Sequence, residues 1–452
     1  MIEKVEKENL LKTFLQYSIP CILGMFLTSF ITVVDGMFIG WKLGGKGLAA
    51  VNLTLPVLYV LLGLTIMIGV GGVTLAMQSL GEKDPRRANK RFSLTLLMNA
   101  AVSVFAALLL IAFRDVLPGF LNAKGELYPY VRDYLGTMSY FYTFMMMNIT
   151  FSMFIRGEGK PQLSLVFGIL ANIVNIVLDY LLIIRLDYGM KGAALASGIS
   201  VCIAFTLGLL YFASGRSGFR YCSTSFDKED LVSMIFNGAS ELIGQISISI
   251  TTFLFNLVII RNLGINGVAA FTIVGYISLI ESMALTGIAQ GIHPLISYSY
   301  GARDREGILL LLSIGARAAV AVGAIAFILS FGAAEGIIRV FAHGNAELIS
   351  IAKGGIKLYS AAFLLNGYNV VASAYFTSLG DAKSSLVIAA LRSLVLVSIF
   401  ILVLPLLMGE TGIWVTVPLT EAVTFAVAWL YIRRSKAALS FDTVTERTMA
   451  EM

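Results

Sequence analysis

The sequence predicts an all-α integral membrane protein, with twelve transmembrane helices in two pseudo-symmetric six-helix lobes. Three observations carry that expectation. The 452 residues are 58% hydrophobic and only 13% charged, at a mean hydropathy of +0.85, whereas a soluble domain carries about 25% charged residues to wet its surface. Runs such as 102–113, 199–212 and 386–408 are nearly free of charge, and a helix needs roughly 20 apolar residues to cross ~30 Å of hydrocarbon. The chain also repeats itself. LGGKGLAA at 43–50 returns as LGINGVAA at 263–270, and SLGEKD at 79–84 returns as SYGARD at 299–304, both at a shift of 220.

Taken in order, the apolar segments are 14–40, 48–78, 92–113, 133–155, 162–184 and 192–212 in the first half. In the second half they are 232–260, 267–299, 308–331, 355–379, 384–408 and 412–432. Backbone polar groups in lipid must pair within a segment, so these are helices, and short alternating strands are absent. The domains expected are an N-terminal lobe at 1–212, a linker at 213–231, a C-terminal lobe at 232–435 and a tail at 436–452. The linker is polar and has no repeat partner, as a connection between halves should be. The first dozen residues, charged and amphipathic, read as an interfacial helix without a cleavable signal peptide. Cys21, Cys202 and Cys222 lack metal spacing and read as small apolar side chains. Of the 33 Lys and Arg, 20 fall on one side, Lys4, Lys7, Arg156 and Arg447 among them. The positive-inside rule therefore places both termini in the cytoplasm, in a multi-pass protein of the plasma (cell inner) membrane. The basic residues sit in loops between spans, so the net charge of +6 does not indicate a nucleic-acid partner.

The duplication extends further: Gly159 answers to Gly380, Asn148 to Asn369, Gly189 to Gly409 and Gly192 to Gly412, at shifts of 220 or 221. Two halves in one membrane chain suggest a transporter. The order of the motifs is specific. Asp35 opens Asp-x-x-Phe-Ile-Gly-x-x-Leu-Gly-x-x-x-Leu-Ala-Ala after span 1, and Ser-x-Gly-x-[Lys/Arg]-Asp turns follow spans 2 and 8. Over roughly residues 10–435 the chain resembles the multidrug and toxic compound extrusion (MATE) transporters. The resemblance implies an antiporter whose two lobes enclose a V-shaped cavity, with inflow of H+ or Na+ driving xenobiotic export and no other cofactor. It implies a monomer in the lipid bilayer.

Ionisable groups within spans are costly and mark function by default. Asp35 and Asp179 come to similar depth near the ends of spans 1 and 5, and Asn172, Asn175 and Asp179 share one helix face by their i, i+3, i+7 spacing. Two close carboxylates can trap a proton, or supply hard oxygen ligands to Na+. The alternative is a structural hydrogen-bond cluster. In MATE proteins an aspartate of span 1 and an Asn-x-x-x-Asp of span 5 carry ion coupling, and Asp35, Asn175 and Asp179 match them. The repeat places Phe255 opposite Asp35 and Phe400 opposite Asp179, so the fold itself does not require these acids. Some family members use a span 7 glutamate with a span 10 aspartate; Glu241 fits the first, but span 10 offers only Asn366 and Asn369. Glu281, Glu241, Asn148, Met145, Tyr142, Asn369 and Tyr368 are the candidates for the substrate cavity, the acids attracting small cationic molecules and the thioether and rings packing against them. Asn148 and Asn369 are expected to face each other. Glu241 and Glu281 have the alternative of pairing with Arg317 or Arg392; Glu421 and His293 read as structural. Pro20 is the candidate hinge of span 1. A flippase for lipid-linked or amphipathic substrates is the second reading; such proteins line the cavity with several arginines. Two histidines, with no metal cluster and no nucleophile–base pair in the spans, argue against an enzyme.

Overall fold

The computed structural model describes residues 9–223, 227–332, 338 and 346–439. Lys4, Lys7, Arg447, His343 and most of the expected tail lie outside them. The helices are α1 (Leu10–Gly81), α2 (Pro85–Ala112), α3 (Leu117–Phe120), α4 (Leu127–Gly157), α5 (Pro161–Asp179) and α6 (Gly189–Ala213). They continue as α7 (Lys228–Gly301), α8 (Arg305–Gly332), α9 (Ala346–Tyr359), α10 (Phe363–Leu379), α11 (Ala382–Ala390), α12 (Leu396–Met408) and α13 (Glu410–Ala438). A π-helical turn, Tyr180–Arg185, continues α5, and a second, Leu391–Val395, joins α11 to α12.

Among the described residues, nine helical segments are long and apolar enough to cross a membrane. Two of them cannot be single crossings. A straight helix of 72 residues, the length of α1, would run ~108 Å. α1 turns back at Gly44 (φ 64°, ψ −159°), and the 74-residue α7 does the same at Gly264 (φ 64°, ψ −158°). That backbone is open to glycine and closed to residues with a Cβ. Each therefore supplies two spans, and α4, which carries Arg132, Asp133 and Arg156, completes twelve.

The repeat is written into the backbone as well. Lys83 and Arg303 take φ of 60° and 56°, and Gly189 and Gly409 take 56° and 60°. Asp84 accepts the Arg87 N–H at 2.9 Å, and Asp304 accepts the Gly307 N–H at 3.0 Å, so each matched turn caps the next helix. The lobes meet along the halves of their spans nearest these turns, here termed the linker end. In α1 and α7, Gly71 lies against the Met234 carbonyl and Gly238 against the Met67 carbonyl, where an added Cβ would stand 1.9 and 1.8 Å away. Gly81 and Gly301 meet the facing chain in the same manner, while Gly44 and Gly264 at the other end have nothing within 4 Å of an added Cβ. The lobes thus close at the linker end, and the V between them opens toward the Gly44 and Gly264 bends.

Residues 213–223 are not a free tether. Glu158 is buried and accepts hydrogen bonds from Tyr211, Ser217 and, at 2.9 Å, the Phe219 N–H. Cys222 N–H donates to Ser93 at 2.9 Å, and Arg91 pairs with Asp230 at 2.7 Å. Near the far end, hydrogen bonds from Arg132 to Asp115 and from Lys46 to Glu126 hold both carboxyls below their usual range.

Candidate functional site

The spacing on α5 resolves as expected. Asn175 and Asp179 are buried, Asn172 is half-buried, and Ile173, Val177 and Tyr180 face outward. Across from this face, α1 presents Asp35, whose carboxyl lies within hydrogen-bond reach of Asp179. Neither acid has a donor to offer the other. Asp35 Oδ1 and both Asp179 oxygens are buried and find no hydrogen-bond partner in the protein, nor does Asn175 Nδ2. Two unit charges ~4 Å apart repel by about 4 kcal/mol at an effective dielectric of ~20, so the pair suits a shared proton or a small cation. Tyr134 stands beside both acids. The second lobe is apolar at the matching place: Phe255 is 5% exposed and clusters with Val258, Ile259, Val397 and Ile401. Ring stacking on Phe271, with centroids 4.8 Å apart, completes that contact.

Two confluent cavities lie nearby, and the first reaches Asp35. The first, of about 420 Å³, is lined by Asp35, Asn172, Asn175, Met145, Asn148, Pro20 and Arg156, among others. The second, of about 540 Å³ between the lobes, is lined by Glu241, His293, Arg156 and Arg392 with Gln245, Thr286 and Ser373. Met25, Thr28, Ile66, Ile149, Met153, Arg156 and Gln290 belong to both walls. Both volumes lie in the range of small-molecule sites. Glu241 has no ion pair or hydrogen bond among the described residues, and His293 Nε2 is 2.9 Å from Thr74 Oγ1. Pro20 is interior to α1 rather than at its start. Its missing N–H releases the Gln16 carbonyl, which accepts from Gln162 Nε2 at 3.1 Å instead.

Four of the expected cavity residues are elsewhere. Tyr142 is 3% exposed, packed with Ala106, Ala107, Leu110 and Met146. Tyr368 lines neither cavity and sets its ring edge-on to Phe425. Asn369 does not face Asn148. It is fully buried and donates to the Glu421 carboxylate at 2.7 Å and the Glu421 carbonyl at 2.9 Å. Glu281 is also buried and accepts from Asn366 Nδ2 at 2.7 Å. These groups form one cluster, because Arg392 bonds Glu421 at 2.9 Å through Nε and Asn366 through Nη2. The arginine thus pairs with Glu421, not with Glu241 or Glu281, while Arg317 sits on the exposed face of α8. Arg156, read from sequence as a loop residue, lies inside α4 and in both cavity walls. It directly follows the expected end of span 4, and no sequence signal gave its direction.

A family model described as MatE matches residues 20–181 and again residues 242–403. The chain belongs to the MatE family. The two matches begin 222 residues apart, in keeping with the duplication. Among curated relatives of this MatE chain is the multidrug export protein MepA of Staphylococcus saprophyticus, 26% identical over 97% of this chain and 96% of the relative. MepA of Staphylococcus aureus is 25% identical over 97% of each. Among solved structures, an outward-facing conformation of a multidrug resistance MATE family transporter superposes at a TM-score of 0.89 and 24% identity, over 95% of this chain and 96% of that one. A crystal structure of MATE in the bent conformation gives 0.89 at 24% identity, covering 97% and 99%.

Proposed function

We propose that this MatE protein is a secondary active antiporter that exports amphiphilic, cation-bearing organic molecules in exchange for protons or sodium ions. The observation that carries the reading is the Asp35–Asp179 pair at one end of a cavity, in one lobe only. Its matching position in the other lobe is filled by Phe255, so the fold does without acids there. Multidrug export is what the MepA relatives are named for. Entry of one positive charge between the carboxyls removes their repulsion and lets α1 close on α5. Asn175, Asn172 and Tyr134 steady the charge, Pro20 gives α1 its bend, and the cavity against Met145 and Asn148 narrows, displacing the substrate. Glu241, unpaired in the wall between the lobes, faces the substrate's positive group. The linker end is cytoplasmic by the positive-inside rule, the V opens to the outside, and the protein acts as a monomer in the plasma membrane.

The test is ethidium efflux from cells under separately imposed proton and sodium gradients, comparing wild type with Asp35→Asn. Export by wild type and none by the variant ties Asp35 to coupling, and the effective gradient names the ion. Equal export by both would remove Asp35 from the mechanism. The flippase reading is favoured by one observation, the two arginines Arg156 and Arg392 facing each other's lobes across the central cavity; wild type that moves a fluorescent anionic lipid between leaflets but no soluble cation would install it instead.

A further inference from the structure

We propose that Arg156 receives an acidic group of the transported molecule: a carboxylate, sulfonate or phosphate carried on an apolar body. This rests on the exporter reading and names a second recognition point in the same cavity, opposite in sign to Glu241.

A guanidinium offers five N–H donors. Arg156 uses Nη1 on the Ser152 hydroxyl at 2.7 Å, and Ser152 in turn meets the Ser164 hydroxyl at 2.6 Å. No carboxylate lies within ion-pair distance of Arg156 among the described residues. The contrast with other arginines inside the protein is sharp. Arg91 has Asp230 at 2.7 Å, the Leu75 carbonyl at 2.9 Å and Ser79 at 2.8 Å. Arg392 has Glu421 and Asn366. A buried cation is normally paired, because leaving it bare costs much of its solvation. Arg156, half-buried and bonded only to Ser152 among the described residues, stands in the wall shared by both cavities, beside Met25, Ile66, Ile149 and Met153. That wall packs an apolar body while the planar fork takes two oxygens of an acid.

The experiment uses the purified full chain and a matched pair of dyes. Rhodamine B carries a carboxylate on its cationic ring system, and its ethyl ester carries the same rings without the acid. Binding is read by fluorescence anisotropy for wild type, Arg156→Gln and Arg156→Lys. The glutamine variant is expected to weaken the carboxylate dye at least about tenfold relative to the ester, the loss of one charge-assisted contact; lysine retains part of the preference. The proposal is overturned if wild type does not bind the carboxylate dye, if both dyes weaken equally, or if neither changes. Vesicle efflux of the two dyes separates the layers. Arg156-dependent binding without export of either dye sinks the exporter reading and leaves the acid-receiving site standing. Competition by phosphatidylglycerol in the micelle, abolished in Arg156→Gln, assigns the acid to a lipid phosphate; competition by soluble carboxylates alone assigns it to solutes.

Discussion

Replacing Arg392 by methionine keeps an unbranched apolar stem and removes the guanidinium and its charge. Glu421, with a side chain only 6% exposed, then keeps the Asn369 amide at 2.7 Å and loses its counter-ion. Removing one partner of a buried pair costs about 3–5 kcal/mol. Arg392 is itself 28% exposed toward the cavity, so water partly replaces it and about 2–3 kcal/mol is the expected loss. If a lobe of ~200 residues unfolds as a unit, with about 2.1 cal/mol/K per residue, that is a fall in melting temperature of about 5–7 °C. The assay is thermal unfolding of purified protein for Arg392→Met, Glu421→Gln and the double variant. The double should recover part of the single losses, since its neutral amide no longer needs a counter-ion. Strictly additive losses would mean that the two side chains do not interact, and the clustered reading of the second lobe would fail.

Placing an acid at the symmetry mate of Asp35 tests whether the first lobe's pair is special. Phe255→Asp buries an unpaired carboxylate among aliphatic side chains and should destabilise by about 3–5 kcal/mol without creating a second coupled ion, read by melting temperature and by ions moved per substrate. At the lobe seam, Gly238→Ala sets a Cβ 1.8 Å from the Met67 carbonyl, so α1 and α7 must part by about 1.5 Å at a cost of ~1–3 kcal/mol. A cysteine at Ser240, which is 3% exposed, should become reactive to a thiol reagent from the linker side. Unchanged protection would refute the seam. Gln162→Ala leaves the carbonyl freed by Pro20 without its donor, at about 0.5–1.5 kcal/mol; amide exchange over residues 17–24 should quicken.

Read without coordinates, the chain already yields its architecture and the juxtaposition of Asp35 with Asp179. Apolar length sets the number of crossings, because lipid cannot solvate an unpaired backbone. A duplicated motif carries duplicated geometry, so the bend at Gly44 returns at Gly264 and the cap at Asp84 returns at Asp304. Asp35, Asn175 and Asp179 were legible from helical period and depth, which are local quantities. Direction across the bundle was not. Tyr142, Tyr368 and Asn369 sit at depths suited to a cavity, yet helix rotation turns them into the packing between neighbours, and rotation is decided by which side chains interlock across three or four helices at once. Charge pairing has the same character. Arg392 and Glu421 lie 29 residues apart in the chain, on spans whose adjacency only packing establishes. Once they are joined, Glu281 leaves the list of cavity acids, and Arg156 remains in the cavity wall with Ser152 but no carboxylate among the described residues. That residue could not have been singled out earlier, since being unpaired is a property of the whole set of neighbours and not of any stretch of sequence.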